Sequence, residues 1–379
     1  MANSINQYLT EQLIGPQDGD LDAVLRFCQI VAGVRDVHQL IDRVGQHLID
    51  VFDTDLAVLL VHDPQSHQFW THTKYGPGDW PKIIRVDDDE GLCGHVRQTH
   101  ETFLIGDSLR NMLFSCRFTK HFDDEPRSIM AVGVFGPANQ FQGVLEVMDQ
   151  RVDQFNDADR TLLKMLAVPL GLSLDHARNH EGQRRQFDTL ICAFVGAIDA
   201  RDAITKDNSI NVANYAMGIG KILGLDARHI ESLRVAALLQ DVGKIGTPDR
   251  VLTKAGRLEG HEFEEVKKHA RYTRQILSQV EFTEPYGDVP ELASAHHEKL
   301  DGSGYPDGLV GNQVPLKARI LTVADMFHAL TQPRHYRAGM DLTQAITVLD
   351  ELVPEQLDAR CVAALKAFLG IGPMPMPAA

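Results

Sequence analysis

The sequence has few cysteines and pairs none of them. The five are scattered along the chain, odd in number, and never form a CxxC motif. This usage argues against a disulfide framework and against a zinc ribbon, and it is typical of a reducing compartment. We therefore expect a cytoplasmic protein in which the cysteines are small core residues. They are Cys28, Cys93, Cys116, Cys192 and Cys361.

Long apolar runs and an excess of positive charge are also absent. No run approaches the ~18 residues of a membrane span, and the start MANSINQYLTEQL has neither the basic nor the apolar region of a secretion signal. The net charge of −15 argues against a groove that tracks a nucleic-acid polymer. The chain has 379 residues, and 44% of them are hydrophobic. This length and composition predict a soluble multidomain protein with two hydrophobic cores.

The first part of the chain alternates helical and strand-like patterns. Residues 21–50 have the apolar spacing of two amphipathic helices, a short helix is expected at 90–100, and a closing helix at 156–178. Six strand-like runs are separated by turn signals: 56–63, 69–75, 83–86, 101–107, 129–136 and 142–149. The pattern predicts an α+β domain over 21–178 with one antiparallel sheet, preceded by an N-terminal segment, 1–20.

The second part is helical throughout. The helical period continues from Asn156 to about Arg201, with a kink expected at Pro169 and a polar helical linker at 179–188. An all-α domain is predicted for 189–370, followed by a disordered tail, 371–379. Its helical periods fall at 208–223, 226–241, 260–279, 289–299, 314–331, 341–352 and 357–369.

Histidines and carboxylates recur in this helical part. Asp241 ends one helix, His269 lies within another, and His296 and His297 are adjacent. Imidazoles with a carboxylate suit iron, manganese, zinc or nickel, although each histidine alone is equally typical of a core or surface position. Asp325 is more informative because it lies in an apolar stretch, where an unpaired buried carboxylate costs several kcal/mol.

A glycine-rich loop, DGSGYPDGL, follows the histidine pair. Glycine and free backbone amides allow the close approach of a phosphate group. Lys244, Lys317 and Arg319 are candidates for the opposing positive charge, and each is equally compatible with an ordinary solvated base.

Two sets of motifs resemble known families. HHEKLDGSGYPDGL and QDVGKIGTPDRVL resemble the HD-GYP domain, a branch of the HD metal-phosphohydrolase superfamily. DEGLCGHVRQTHETFLIGD and GVLEVMDQRVDQFNDADRTLL resemble a GAF sensor domain. The first resemblance implies a helical domain with two or three metal ions, often iron or manganese, that hydrolyses cyclic di-GMP. The second implies a sensor for a small molecule that the sequence does not identify.

The resemblance to HD-GYP domains also implies roles for individual residues. Asp241 matches the aspartate that bridges metals, and Lys244 matches the lysine near the scissile phosphate. Asp325 matches a ligand of the neighbouring metal. The residues that match the ligands of one metal are His269, His296 and His297, and those that match the substrate loop are Gly304, Tyr305 and Pro306.

Four positions depart from the family pattern. Gln240 and Asn208 stand where the family has ligand histidines, Asp199 replaces a glutamate, and His328 replaces an aspartate. A neutral amide oxygen is a poorer ligand than imidazole for a transition metal. We therefore expect one divalent ion, iron or manganese, rather than two or three.

Two functions follow from this ion count, and a third does not depend on it. A two-metal site clamps the attacking and leaving oxygens, so its loss predicts a cyclic di-GMP signalling protein whose hydrolysis is weak or lost and whose binding is retained. The alternative is an active phosphodiesterase, yielding pGpG or GMP, with His328 recruited as a ligand. A third is a purely structural homodimer whose signal passes through the 156–201 helix. Its parallel seam would include Leu162, Met165, Leu166, Leu172 and Leu174, and the alternative for these residues is packing on the GAF sheet.

Overall fold

The chain folds into two compact units, described here separately. The computed structural model describes residues 18–73, 82–110, 126–201, 208–254, 256–332 and 339–373. One unit is Met1–Arg185 and the other Gln186–Ala379, so the division falls within the predicted 179–188 linker. The predicted N-terminal segment up to residue 17, and the predicted tail from residue 374, lie outside the described residues.

The first unit contains an antiparallel sheet of six strands. These are β1 (Leu56–Asp63), β2 (Gln68–Thr73), β3 (Lys82–Asp87), β4 (Phe103–Ile105), β5 (Ser128–Phe135) and β6 (Phe141–Asp149). Their order across the sheet is β3-β2-β1-β6-β5-β4, with every neighbouring pair antiparallel. The predicted α+β domain with one antiparallel sheet is confirmed, although β4 is much shorter than the predicted 101–107 run.

Helices cover both faces of this sheet. They are α1 (Asp18–Val31), α2 (Val37–Phe52), α3 (Gly91–Thr99) and the first part of α4 (Asp157–Arg201). Because side chains alternate along a strand, Leu145 and Val147 of β6 pack with α1, α2 and α4, whereas Val144 and Met148 pack with α3. The domain therefore has a core on each side of the sheet.

Helix α4 is 45 residues long and continues through Pro169. Leu166 and Leu174 are completely buried in the core of the first unit. These two residues of the predicted dimer seam therefore pack within their own domain. By contrast, Leu172 is 47% exposed.

The second unit is helical, as predicted. After α4 it contains α5 (Asn208–Ile222), α6 (Ala227–Leu239), α7 (Asp249–Leu252), α8 (Gly260–Leu277), α9 (Val289–Ser294), α10 (Leu316–Thr331), α11 (Leu342–Glu351) and α12 (Ala359–Phe368). A short 3₁₀ turn, Val242–Gly246, follows α6. Helix α9 ends at Ser294, so His296 and His297 lie in the turn after it rather than on the predicted 289–299 helix. No helix within the described ranges is long and apolar enough to cross a membrane.

Candidate metal centre

Three imidazoles converge in the second unit. His269 projects from α8, and His296 and His297 follow the end of α9. One ring nitrogen from each lies within 4.8 Å of the others, and the Nε2 atoms of His269 and His296 are 3.3 Å apart. Both of these residues are 1% exposed. The structure therefore brings together the three histidines that the sequence proposed as ligands of one ion.

Backbone carbonyls orient two of these rings. Nδ1 of His269 lies 2.6 Å from the carbonyl oxygen of Val266, and Nδ1 of His296 lies 2.6 Å from that of Ala293. A carbonyl only accepts, so each Nδ1 carries the hydrogen and each Nε2 presents a lone pair. Two lone pairs that face each other at this distance repel unless a cation lies between them. The donor set therefore fits a divalent transition metal ion, with the carbonyls fixing the rings.

The surroundings of the imidazoles favour their neutral form. Burial lowers the pKa of His269 to about 4, although Asp241 partly opposes the shift. Burial also lowers the pKa of His297 well below its ordinary range, and the two neighbouring imidazoles add to the effect. Because metal ligation requires a deprotonated ring nitrogen, these rings are ready to bind an ion at neutral pH.

Asp241 and Lys244 lie beside the imidazoles. Oδ1 of Asp241 is 3.6 Å from Nε2 of His269, and Oδ2 is 3.0 Å from the Nζ of Lys244. Burial opposes ionisation of Asp241, but the charge of Lys244 and its hydrogen bond to the carboxylate help to hold the carboxyl pKa well below its ordinary value. A Cβ on Gly243 would lie 2.0 Å from the carbonyl oxygen of His269. Glycine is therefore required for the Asp241–Lys244 turn to pack against α8.

Gln240 contacts the carboxylate that the family resemblance assigns to a second ion. It is completely buried, and its Nε2 donates to Oδ1 of Asp325 at 3.0 Å. Oδ2 of Asp325 lies 3.8 Å from Nδ1 of His297. Within the described part of the chain, Oε1 of Gln240 has no hydrogen-bond partner. Gln240 thus turns the N–H donor of its amide toward Asp325, and not the amide oxygen that could bind a metal ion.

The predicted substrate loop lies against the histidines. The rings of Tyr305 and His297 have centroids 4.6 Å apart. Burial, with Asp325 and Asp241, raises the pKa of Tyr305, so its phenol stays protonated. A Cβ on Gly304 would lie 2.5 Å from the amide nitrogen of Lys299, which explains the glycine at this position.

A buried glutamate, which the sequence analysis missed, holds this loop. The carboxylate of Glu298 accepts the backbone N–H groups of Asp307 at 2.7 Å, Gly308 at 3.2 Å and Leu309 at 2.9 Å. The residue is 1% exposed. In the sequence, Glu298 is marked only by its position directly after the histidine pair. This position does not reveal which backbone amides its carboxylate binds.

Lys317 and Arg319 are already paired with carboxylates. Lys317 contacts Asp288, and its Nζ is 3.1 Å from the Oγ of Ser232. Arg319 forms a 3.0 Å ion pair with Asp358. A substrate that contacts Lys317 or Arg319 would have to compete with these ion pairs. Substrate binding by the two side chains therefore stays a prediction.

The other departures from the family pattern lie on three different helices. Asp199 is near the end of α4, and Asn208 is the first residue of α5. His328 is buried on α10, three residues after Asp325, with its ring centroid 6.3 Å from that of Tyr215. Their predicted roles as weakened or recruited ligand positions stay predictions.

Comparisons with known proteins agree with the two resemblances. An HD domain model matches residues 185–361, and a GAF domain model matches residues 34–175. The chain is 34% identical to 3'3'-cGAMP-specific phosphodiesterase 3 of Vibrio cholerae, over 61% of this chain and 49% of the relative. It is 38% identical to the cyclic di-GMP phosphodiesterase response regulator RpfG of Xanthomonas campestris, over 50% of each. The chain thus spans about half the length of the curated relatives it matches.

Solved structures give a fainter likeness over the first unit. The GAF domain of an Acinetobacter phosphoenolpyruvate-protein phosphotransferase is 19% identical, with a TM-score of 0.37 over 44% of this chain and 99% of that one. At this level the likeness adds no argument to the family models. The two family models match the predicted architecture, with a GAF domain followed along the chain by an HD domain.

Proposed function

We propose that the HD domain binds a cyclic dinucleotide of the cyclic di-GMP class at a centre that holds one iron or manganese ion. In this proposal hydrolysis is weak or lost. The observation that carries it is the 3.0 Å hydrogen bond from Gln240 to Asp325. The carboxylate of Asp325, which is expected to bind the second ion, therefore accepts a hydrogen bond from the neutral amide of Gln240. The dinucleotide class is supported by the names of the relatives, which are cyclic di-GMP and 3'3'-cGAMP phosphodiesterases.

The residues proposed to hold the ion are the three imidazoles and Asp241. A bound divalent ion would polarise a phosphate oxygen and lower the pKa of a coordinated water. Lys244 places a positive charge beside this centre, 3.0 Å from Asp241, where it can attract a phosphate. The protonated phenol of Tyr305, next to His297, is available as a hydrogen-bond donor to the ligand.

The missing second ion is the reason to expect weak hydrolysis. Two ions would stabilise the attacking and leaving oxygens together, whereas one ion with Lys244 supports binding and only part of this stabilisation. Loss of a single preorganised electrostatic group typically costs ~10²–10³ in rate. The domain would then act as a receptor built on a hydrolase fold, and the GAF domain, with its own small-molecule ligand, would regulate it.

Equilibrium binding tests this proposal. Cyclic di-GMP and, separately, 3'3'-cGAMP are titrated into the full chain under anaerobic conditions, first with Mn(II) and then after chelation. We expect binding of at least one of the two dinucleotides that depends on the metal and is lost in His297→Ala. The matched control is His261→Ala, which removes an exposed histidine from α8. Metal-independent binding, or no binding of either dinucleotide, would refute the proposal.

An active phosphodiesterase remains the competing function. One observation supports it: the ring nitrogens of the three imidazoles lie within 4.8 Å of one another, and Oδ1 of Asp241 is 3.6 Å from Nε2 of His269. Turnover of cyclic di-GMP by the parent and by the double variant Gln240→His and Asn208→His decides between the two functions.

A further inference from the structure

A second pair of facing imidazoles lies in the GAF domain, far in sequence from the HD motifs. Nδ1 of His38 on α2 is 3.2 Å from Nδ1 of His72 on β2. Asp42, one turn after His38 on the same face of α2, has its Oδ1 3.0 Å from Nε2 of His72. Nothing in the sequence motifs pointed to these three residues.

The carboxylate fixes the tautomer of the buried ring. The side chain of His72 is 2% exposed, and that of Asp42 is 32% exposed. Because an ionised carboxylate only accepts hydrogen bonds, Nε2 of His72 carries the hydrogen and Nδ1 presents its lone pair to His38. This is the carboxylate–histidine arrangement that commonly orients a metal-ligating imidazole.

The geometry repeats that of the HD centre. In each place an oxygen acceptor holds one ring nitrogen, and the other nitrogen faces a second imidazole, at 3.2 Å in the GAF domain and 3.3 Å in the HD domain. His38 is exposed, so an ion can reach the pair from solvent, and the outer ring nitrogen of His38 can carry its hydrogen.

We propose that His38 and His72 form a second metal site, in which Asp42 is the positioning residue. Two imidazole nitrogens select a borderline ion such as Zn²⁺, Ni²⁺ or Cu²⁺ over the oxygen-preferring Mg²⁺ or Ca²⁺. Two protein ligands leave coordination positions open to water or to a ligand with an anionic group. The site is independent of the function proposed for the HD domain.

Zinc binding to the metal-free full chain tests this site. Equilibrium dialysis with Zn²⁺ counts the ions bound per chain in the parent and in His38→Ala. The parent is expected to bind one zinc more than His38→Ala, and His176→Ala, which removes an exposed histidine of α4, is expected to match the parent. Since His38 is exposed, its removal leaves the core intact.

A second variant distinguishes a metal site from a chance contact between the two histidines. Asp42→Asn removes the acceptor charge but keeps both imidazoles, and it is expected to weaken zinc binding at this site about 10- to 100-fold. Equal zinc counts and affinities in the parent and His38→Ala would overturn the proposal and leave a direct His–His hydrogen bond. An unchanged affinity in Asp42→Asn would overturn the role of Asp42. Ions lost in His297→Ala belong to the HD centre, so failure of one site is distinguishable from failure of the other.

Discussion

At the scale of single residues, the proposed function rests on three imidazoles that lie together and on the amide of Gln240, which donates to Asp325 at 3.0 Å. The placement of histidines at 269, 296 and 297 was predicted, and the structure brings them together. The sequence also shows that position 240 carries a glutamine where the family pattern has a histidine. It does not show which way the amide of Gln240 points, because that depends on Asp325, 85 residues further along the chain. Glu298 was missed for a different reason: its partners are backbone amides of the following loop, and backbone amides are common to every sequence.

The pH dependence of stability provides a residue-scale prediction for Glu146. This glutamate of β6 is 3% exposed, and burial raises its pKa from 4.5 to about 7, opposed by a hydrogen bond with Cys93. A carboxyl whose folded pKa is raised stabilises the fold below its unfolded pKa, and this stabilisation is lost as the pH rises through the folded pKa. The shift corresponds to about 3 kcal/mol at most.

Glu146→Gln removes this titration. We expect the thermal unfolding temperature of the parent GAF domain, within the full chain, to fall relative to that of the variant between about pH 4.5 and pH 7. Calorimetry over this range measures the difference, with Glu101→Gln, at an exposed position, as the control. Parallel curves for the parent and Glu146→Gln would show that Glu146 does not titrate in this window.

At the scale of elements, periodicity predicts helices and strands, but long-range contacts set their ends. The six strands and the main helices of the second unit appear where the apolar spacing placed them. The predicted 289–299 helix stops at Ser294, and the following residues turn so that His296 and His297 meet His269. The 3₁₀ turn Val242–Gly246 was not predicted, because its support comes from α8 and from the end of α4.

Arg201, the last residue of α4, supports the turn that carries Lys244. Its guanidinium donates to the carbonyl of Lys244 at 3.3 Å, to that of Thr247 at 2.8 Å, and to that of Ile245. It also forms a 2.8 Å ion pair with Asp249. This arginine therefore ties the end of α4 to the turn that carries Lys244.

Removal of Arg201 is expected to loosen the turn. Hydrogen bonds to a charged donor typically contribute about 1.5–3 kcal/mol, so Arg201→Ala should speed amide exchange across 242–249 by tenfold or more. Hydrogen exchange with mass spectrometry measures the effect, and Arg184→Ala, at an exposed position of the same helix, is the control. Equal exchange in the two variants would contradict the role of Arg201.

At the scale of the whole molecule, the sequence predicted two domains of different classes joined by a long helix. It could not separate buried from exposed apolar residues along that helix, because both kinds recur at helical spacing. The structure buries Leu166 and Leu174 and leaves Val168, Leu172, Leu190 and Phe194 between 47% and 59% exposed.

We propose that exposed apolar side chains of α4, among them Leu172 and Leu190, pair two copies of the chain. Leu172→Glu with Leu190→Glu would place charges in the seam and is expected to convert a dimer to a monomer. Analytical ultracentrifugation of the full chain measures the mass, with Lys164→Glu, an exposed substitution on α4, as the control. A monomeric parent, or a dimeric double variant, would exclude this interface.

The central claim is that Gln240 and Asn208 leave a centre that binds the dinucleotide but hydrolyses it weakly. The most direct test is product formation from cyclic di-GMP by the full chain, reconstituted anaerobically with Fe(II) and separately with Mn(II). The parent is compared with the double variant Gln240→His and Asn208→His. We predict that the double variant turns over on the order of 10²–10³ times faster than the parent. A parent that hydrolyses cyclic di-GMP as fast as the double variant would contradict the account and identify an active phosphodiesterase.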